Sequence, residues 1–470
     1  MAAKQHIVKS TGLVLCSLFL AGCATFSQDG GMDAVSSIAK ERTGQEIRAT
    51  RTESDHSEIE AATKQLLAKP LTADSAVQIA LLNNRGLQAS LSDLGIAEAD
   101  LVRAGRIGNP SFSFSRLRGD DNVEIERSVM FDLVGLLTIP IRSGIEQRRF
   151  EQAKLQAASE AVRIAAETRR AYFNALAAQQ TAHYMEQVKT AAEASAELAG
   201  RMAKVGNWSK LDQAREQAFY ADATAQLARS RHNVAAAREG LARMLGLWGN
   251  QLAFQLPERL PNLPNSLMAS ADLEQLAMKQ RLDVQMAKSN AEATASALGL
   301  SRATGFINVL HAGYINKSET GESRANGYEI ELELPIFDWG RSRTAKAEAI
   351  YMQSVHRTAD TAIRARSEVR EAYSAYRTAY DLARHYRDEI VPLRKKISEE
   401  MMLRYNGMLA SVFELLADSR SQINSVNAAI EAQRDFWITD TVLQTAINGS
   451  GGTAPALRSN APTAEAAGGH

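Results

Sequence analysis

Residue types capable of catalysis or metal binding occur in this sequence without forming a constellation. His183 and Glu186 are one helical turn apart, but the third ligand that a zinc site requires is missing. Met401, Met402 and Met408 have the helical spacing of packing residues rather than the density of a thioether metal site. We recognise no nucleophile with a base and an orienting partner, and no GxxxxGK[ST] phosphate loop. The sequence therefore predicts no enzyme, no cofactor and no metal site.

Alternating carboxylates indicate a different chemistry, that of a surface with one polar and one apolar face. Glutamates occupy positions 329, 331 and 333, and they alternate with Tyr328, Ile330, Leu332 and Leu334. This two-residue period is that of a β-strand. The apolar side could face lipid in a membrane-spanning sheet or the core of a soluble sheet, because both produce the same alternation.

Further acidic residues occur in an earlier segment that also alternates, at Glu124, Glu126 and Asp132. With Glu329, Glu331 and Glu333 they predict an acidic polar face. If the sheet closes into a membrane barrel, this face would line the lumen and could favour cations. Arginines lie in the same earlier segment, at positions 116, 118 and 127. Because of these arginines, a lumen that is merely solvated is the preferred interpretation, and a cation-selective lumen is the alternative.

The N-terminus predicts secretion. A basic leader precedes an apolar stretch from Thr11 to Ala21 that is too short to cross a bilayer, which indicates a signal peptide over residues 1–22. Leu20-Ala21-Gly22-Cys23 resembles the lipobox of bacterial lipoproteins, which implies that Cys23 is lipidated and becomes the mature N-terminus. An ordinary small-residue cleavage site is the alternative. Ala24, rather than Asp, follows the cysteine, and the lipoprotein sorting rule then implies the outer membrane.

Composition narrows the class of protein further. The formal net charge is zero, which argues against a nucleic-acid partner. The only cysteines are Cys16, in the predicted leader, and Cys23, so no disulfide is expected. No later segment has the eighteen or more apolar residues of a spanning helix. If the chain crosses a membrane, it is expected to do so as strands.

The remaining sequence repeats one order of elements. From 71 to 256 we predict a helix, a strand hairpin over 111–141, a long helix and a further helix. The same order follows from 271 to 448, with a hairpin over 306–336 and a kink at Pro392 in the long helix. Residues 23–70 predict a polar tether, 257–270 a linker and 449–470 a disordered tail. The predicted fold class is mainly α with a small membrane β part and an internal duplication.

A glycine and a helix-capping serine mark the reversal after each long helix. Gly206 precedes Ser209, whose partner three residues later is Asp212. Gly407 precedes Ser411, whose partner is Glu414. The glycine can take positive φ and end one helix, and the serine and carboxylate fit or nearly fit the capping box that begins the next.

This arrangement resembles the TolC-like outer-membrane efflux proteins from about Leu71 to Ile447. The resemblance depends on Asn109-Pro110 before the first hairpin, the two reversals, and Leu334-Pro335-Ile336-Phe337-Asp338-Trp339-Gly340-Arg341 after the second hairpin. The corresponding Pro140-Ile141-Arg142-Ser143-Gly144 of the first half lacks the aromatic residue and the aspartate.

The resemblance implies a homotrimer in the outer membrane. Three copies of four strands would form a shared 12-stranded β-barrel, and long helical hairpins would form a periplasmic tunnel. Conduction would be passive, and the implied partners are outer-membrane lipid, a periplasmic adaptor and an inner-membrane pump. The lipobox favours a resistance-nodulation-division pump.

Adaptor docking would then fall on the two reversals. The implied docking residues are Gly206, Trp208, Ser209, Asp212, Gly407, Met408, Leu409, Ser411 and Glu414. Packing against a neighbouring helix is the alternative role for Trp208, Met408 and Leu409. The principal alternative for the whole protein is a lipid-anchored periplasmic coiled-coil scaffold without transport activity. No residue pattern specifies the cargo or the cognate pump.

Overall fold

The computed structural model describes residues 25–269, 272–305, 309–334 and 336–449. The predicted signal peptide, Cys23, Pro335 and the predicted tail from 450 onwards lie outside the described residues. In chain order the described helices are α1 (Met32–Thr43), α2 (Glu53–Leu67), α3 (Ala73–Asn83), α4 (Arg85–Ala104), α5 (Leu133–Lys204), α6 (Lys210–Leu245), α7 (Leu273–Gln280), α8 (Leu282–Ala303), α9 (Arg341–His385), α10 (Val391–Asn406) and α11 (Val412–Asn448). The strands are β1 (Ser111–Arg118), β2 (Val123–Asp132), β3 (Leu310–Glu319) and β4 (Ala325–Leu332).

These elements fall into two compact units. The described residues of unit 1 lie within 25–35, Ala89–Ala157 and Asp283–Ala362, and this unit contains all four strands. The described residues of unit 2 lie within Ser36–Gln88, Ala158–Leu282 and 363–449. Among the described residues, no helix is both long and apolar enough to cross a bilayer.

The sheet of unit 1 has the strand order β1-β2-β3-β4, with every neighbouring pair antiparallel. Each predicted hairpin therefore forms, and β2 and β3 join the two hairpins into one sheet. Within unit 1, hydroxyl hydrogen bonds connect helices α8 and α9. Thr294 Oγ1 lies 2.8 Å from Ser354 Oγ, and the Thr358 hydroxyl donates to the carbonyl of Ala287 at 3.1 Å.

The core of unit 2 is an aromatic cluster centred on Phe436, which is fully buried. Its ring lies 5.5 Å from that of Tyr376, 5.6 Å from that of Tyr380 and 5.1 Å from that of Trp437. Burying one such ring contributes about 1.5–3 kcal/mol. Since the mature chain is expected to lack disulfides, packing of this kind holds the unit together.

The predicted linker is part of this core. The side chains of Gln433 and Trp437 donate to the carbonyl of Pro261 at 2.7 and 3.0 Å, and the Tyr380 hydroxyl donates to that of Pro264 at 3.1 Å. Proline-rich backbone has few amides to satisfy itself, so its carbonyls accept hydrogen bonds from the helices instead.

The predicted tether is also more ordered than its polar composition suggests. Helices α1 and α2 lie within it, and Thr52 begins α2 with a complete capping box. Within unit 2, Gln78 Nε2 donates to the carbonyl of Glu46 at 2.9 Å, and Ile47 is buried. Sparse apolar residues, together with side-chain hydrogen bonds to its backbone, hold this segment in place.

The predicted first hairpin, 111–141, extends too far, because β2 ends at Asp132 and α5 begins at Leu133. The apolar residues at 133, 137 and 141 also have a four-residue helical spacing, so alternation alone misassigned them. The Asp132 carboxylate accepts from the amide of Gly135 at 2.8 Å, which satisfies a free amide of the first helical turn. The predicted second hairpin, 306–336, is likewise longer than β3 and β4, and residues 306–308 lie outside the described part.

Two predicted helices are each divided by one extended residue. Asn84 separates α3 from α4, and Arg281 separates α7 from α8. The Asn84 side chain donates to the carbonyl of Met244 at 3.1 Å, and the Arg281 guanidinium donates to that of Ala446 at 3.2 Å. Both acceptors lie near the end of the last helix of their own repeat, so the same break and the same contact occur twice.

Pro392 distorts the second long helix as expected, although the distortion precedes the proline. A π-turn covers Tyr386–Ile390, and the amide of Val391 donates to the carbonyl of Tyr386. Proline has no amide hydrogen, and its ring would collide with the carbonyl four residues earlier, so the wider turn relieves both problems.

Candidate functional site

The strand register places the acidic residues of the sheet on one face. Residues that pair directly share a face, as do alternate residues along a strand. Glu331 pairs with His311, which pairs with Asp132, so these three form one row across β4, β3 and β2. We define the acidic face by its charged residues, which are Glu124, Glu126, Asp132, Glu319, Glu329, Glu331, His311 and Lys317.

Contacts on the acidic face are few and local. Lys317 Nζ lies 2.7 Å from Glu124 Oε1, and His311 Nδ1 lies 3.4 Å from Glu331 Oε2. Glu333 follows β4, and its amide donates to the carbonyl of Val309 at 3.3 Å, which continues the ladder by one step. The acids singled out from the sequence are thus brought to one surface.

The opposite face, which we call the apolar face, is uncovered. Tyr328 is 93% exposed, Ile330 73% and Phe112 67%. The register places on this face the apolar residues Phe112, Phe114, Val123, Ile125, Val129, Phe131, Leu310, Ala312, Tyr314, Tyr328, Ile330 and Leu332. In water such a face would need a core to cover it, whereas a lipid environment needs none.

Both outer strands of the sheet have one unpaired edge. β1 pairs only with β2, and β4 pairs only with β3, within the described residues. Each edge presents unpaired backbone N–H and C=O groups that can form hydrogen bonds with a further strand.

The residues after β4 explain the signature that suggested the family. The Ser342 hydroxyl donates to the Asp338 carboxylate at the start of α9. Gly340 has φ +76°, and a Cβ there would lie 2.5 Å from the carbonyl oxygen of Gly305. Only glycine permits this close approach in a left-handed conformation. Pro140–Gly144, which lacks the aspartate, instead lies inside α5, so the first half does not repeat this turn.

The first helix reversal has the geometry expected from its sequence. Gly206 has φ +81°, and the amide of Asn207 donates to the carbonyl of Met202 at 3.0 Å, as in a Schellman motif. The Ser209 hydroxyl then accepts from the amide of Asp212 at 3.0 Å and donates to its carboxylate at 2.6 Å. Trp208, between the two caps, is half-buried.

The second reversal differs at one residue. The left-handed residue is Met408, with φ +61°, whereas Gly407 has φ −83°. The amide of Leu409 donates to the carbonyl of Arg404 at 2.8 Å, and Ser411 and Glu414 form a complete capping box. The expectation that Gly407 supplies the positive φ was therefore wrong. A non-glycine residue in this conformation stores strain, and such strain is often associated with a functional site.

The structure brings the two reversals together within unit 2. The Arg215 guanidinium lies 5.5 Å from the ring centre of Phe413. Met408 is 94% exposed and Leu409 79% exposed, so burial against a neighbouring helix of the same chain does not account for them. Leu211 and Phe413 are also exposed, although the sequence did not single them out. Their position on the first turn after each serine cap was the signal that could have identified them.

A buried carboxyl group lies beneath this surface. Glu216 is 1% exposed, and the Ser195 hydroxyl donates to it at 2.9 Å. Burial raises the pKa of Glu216 above its usual value, and the hydrogen bond from Ser195 offsets only part of this effect. Burial also raises the pKa of the Tyr405 hydroxyl, with further contributions from Glu216 and Asp212.

Part of the sequence matches a known family of proteins. Residues 273–399 match the family model described as outer membrane efflux protein. The cobalt-zinc-cadmium resistance protein CzcC of Cupriavidus metallidurans is 25% identical over 186 residues, which cover 39% of this chain and 43% of that relative. The alignment therefore spans less than half of CzcC.

Two solved structures have the same fold over most of their length. The Campylobacter jejuni CmeC outer membrane channel matches with a TM-score of 0.66 and 15% identity, covering 87% of this chain and 90% of that one. The Neisseria gonorrhoeae MtrE outer membrane channel in its open state matches with a TM-score of 0.67 and 16% identity, covering 80% and 88%. The chain has the fold of the TolC-like outer-membrane channels, and the family match covers residues 273–399, which is part of its second half. The resemblance found in the sequence is confirmed.

Met408→Gly tests whether backbone strain is present at the second reversal. Glycine adopts positive φ without the steric cost borne by methionine, so we expect the variant to be more stable by up to about 1 kcal/mol despite glycine's larger unfolded-state entropy. Denaturant unfolding of the detergent-solubilised protein measures this. Leu409→Gly is the matched control, since Leu409 is also exposed but is not left-handed, and it should be destabilising. Equal destabilisation by both would contradict the assignment of strain.

Proposed function

We propose that this protein is the outer-membrane channel of a tripartite efflux or secretion system, conducting substrates passively to the cell exterior. The observation that carries the proposal is the four-stranded sheet with an uncovered apolar face, an acidic face and two open edges. In hydrocarbon every backbone polar group needs a partner, so a spanning sheet must close on itself. Four strands are too few to close, because about eight is the smallest membrane barrel.

Further copies of the chain are the natural source of the missing strands. The free edge of β1 can pair with the free edge of β4 in a neighbouring copy, since both strands belong to an antiparallel sheet. Three copies would give the 12-stranded barrel that the family resemblance implies. The acidic face would then line the lumen, and the apolar face would contact outer-membrane lipid.

The remaining assignments complete the proposed assembly. The helical part lies in the periplasm, and Cys23 anchors the mature N-terminus by lipidation. A periplasmic adaptor contacts the two helix reversals and connects the channel to an inner-membrane pump, proposed to be of the resistance-nodulation-division type. Energy for transport comes from that pump.

Exposed apolar residues support the docking assignment. Leu211 is 60% exposed and Phe413 61%, beside the still more exposed Met408 and Leu409. Apolar residues grouped in this way on capped, well-defined turns are typical of an interaction surface. The proposed partner surface is correspondingly apolar.

Single-channel conductance of the purified protein, measured with its oligomeric mass, tests the channel. We expect a trimer with a discrete conductance, because closure of the sheet creates the pore. A monomer without conductance would overturn the proposal. A stable oligomer that remains soluble without detergent and does not conduct would instead favour the periplasmic scaffold.

Docking is tested with the double variant Leu211→Ser/Leu409→Ser. The loss of two apolar contacts should reduce the amount of adaptor that co-purifies with the tagged channel by roughly tenfold. Leu198→Ser is the control, since Leu198 is 58% exposed on α5, outside the reversals. Conductance should be unchanged in both. Equal adaptor recovery from the double variant and the control would remove the reversals as the docking site.

Cation preference of the pore is tested with Glu329→Gln/Glu331→Gln. Both carboxylates lie on the acidic face, so their removal should lower the cation-to-anion permeability ratio by roughly twofold or more. Reversal potentials in a salt gradient measure the ratio. Glu322→Gln, in the turn between β3 and β4, is the control for loss of a carboxylate elsewhere. An anion-selective wild-type pore would show that the acids do not set selectivity.

A further inference from the structure

The charged residues of the sheet are sorted by sign between its two faces. Every strand carboxylate lies on the acidic face. Arg116, Arg118 and Arg127 lie on the opposite, apolar face, since Arg116 pairs with Ile125, Arg118 with Val123 and Arg127 with Phe114. Among the described strand residues, the apolar face therefore carries three cations and no anion.

These arginines all lie in the half of the apolar face nearer the β1–β2 turn. Phe112, Phe131, Leu310 and Leu332 lie at the end where the strands connect to helices. Arg116 and Arg118 lie in the last residues of β1 before the β1–β2 turn. Arg127 lies deeper, at the fifth of the ten residues of β2, so its guanidinium must extend along the sheet to reach the level of the other two. An arginine facing lipid is costly at the centre of the bilayer but not at the headgroup level. The pattern thus matches a lipid-facing surface whose hairpin end reaches headgroups.

The three arginine side chains differ in the contacts that they make. Arg127 Nη1 donates to Asn316 Oδ1 at 3.1 Å, and Asn316 Nδ2 donates to Asn326 Oδ1 at 2.7 Å, which fixes a polar row across β2, β3 and β4. Arg116 and Arg118 are exposed and make no ion pair with any described residue. The cluster therefore combines one positioned guanidinium with two that are available for an anionic ligand.

A neighbouring copy of the chain would not neutralise these charges through its strands. The edge that would lie beside β1 is β4, and the outward residues of β4 are Asn326, Tyr328, Ile330 and Leu332. None is a carboxylate. The counter-charge must come from outside the sheet.

We propose that Arg116, Arg118 and Arg127 form a binding site for the phosphate groups of a phosphorylated glycolipid in the outer leaflet of the membrane. This rests on the proposed function, which makes the apolar face lipid-exposed and directs the hairpin turns outward. Guanidinium groups bind phosphate oxygens in bidentate fashion, and three neighbouring guanidiniums match a headgroup that carries more than one phosphate. The adjacent Phe114, Tyr314 and Tyr328 would contact the glycolipid acyl chains.

The test compares the purified full-length channel with the triple variant Arg116→Gln/Arg118→Gln/Arg127→Gln. Bisphosphorylated lipid A in detergent is the probe, and native mass spectrometry gives its apparent Kd. We expect the triple variant to bind on the order of 100-fold more weakly. Lys317→Gln is the matched control, since it removes one positive charge at a similar height on the acidic face, and its affinity should equal that of the wild type.

Two further lipids separate the sources of phosphate. Dephosphorylated lipid A should bind the wild type no better than it binds the triple variant, because acyl contacts alone remain. Phosphatidylglycerol should bind the wild type at least tenfold more weakly than bisphosphorylated lipid A, since it offers a single phosphate. Equal affinity for phosphatidylglycerol would overturn the glycolipid assignment, and equal lipid A affinity of wild type and triple variant would overturn the site.

Oligomeric mass and conductance are recorded for every variant. If the wild type neither assembles nor conducts, the proposed function fails. If all variants form conducting trimers but bind lipid A equally, only the glycolipid site fails. Should the glutamine variant not assemble, Arg116→Lys/Arg118→Lys/Arg127→Lys retains the charge and loses bidentate geometry, so we expect weakened binding, and unchanged affinity would overturn the site.

Discussion

Unsatisfied backbone groups at the two edges of the sheet are the constraint on which the rest of the structure depends. A four-stranded antiparallel sheet with an uncovered apolar face is not a stable end state for one chain, in water or in lipid. The two edge strands lack features that discourage pairing with another strand. Both β1 and β4 are of ordinary length, and their exposed side chains include the aromatic Phe112 and Tyr328. The edges therefore suit the contacts between copies that the proposed function requires.

Internal duplication is visible in physical contacts as well as in the order of elements. The extended residues Asn84 and Arg281 break corresponding helices, and each donates to a carbonyl near the end of the last helix of its repeat. The side chains differ, since one is a neutral amide and the other a buried guanidinium that also pairs with Glu368 at 2.8 Å. The two breaks thus occupy corresponding positions but use different side-chain chemistry.

Periodicity and capping residues were sufficient to predict the long helices, the strand hairpins and the two reversals. They failed where the apolar residues fit both the two-residue period of a strand and the four-residue spacing of a helix, as at 133, 137 and 141. There the Asp132 side chain caps a helix, which the sequence analysis did not foresee. They also failed at Met408, because a glycine stood next to it and the backbone nevertheless placed the positive φ on the methionine. Predicting which charges share a face requires the pairing register of neighbouring strands, and the sequence of one strand does not contain that register. Alternation within β4 indicated an acidic face, but the pairing of His311 with both Glu331 and Asp132 depends on how three strands align.

The π-turn at Tyr386–Ile390 makes the two long helices inequivalent in rotational phase. One additional residue in a helical turn advances every later side chain by about 100° around the axis. The face that α10 presents therefore cannot be extrapolated from the residue spacing within α9. The long helices at corresponding places in the two repeats thus present different faces, which allows one repeated order of elements to build two distinct surfaces.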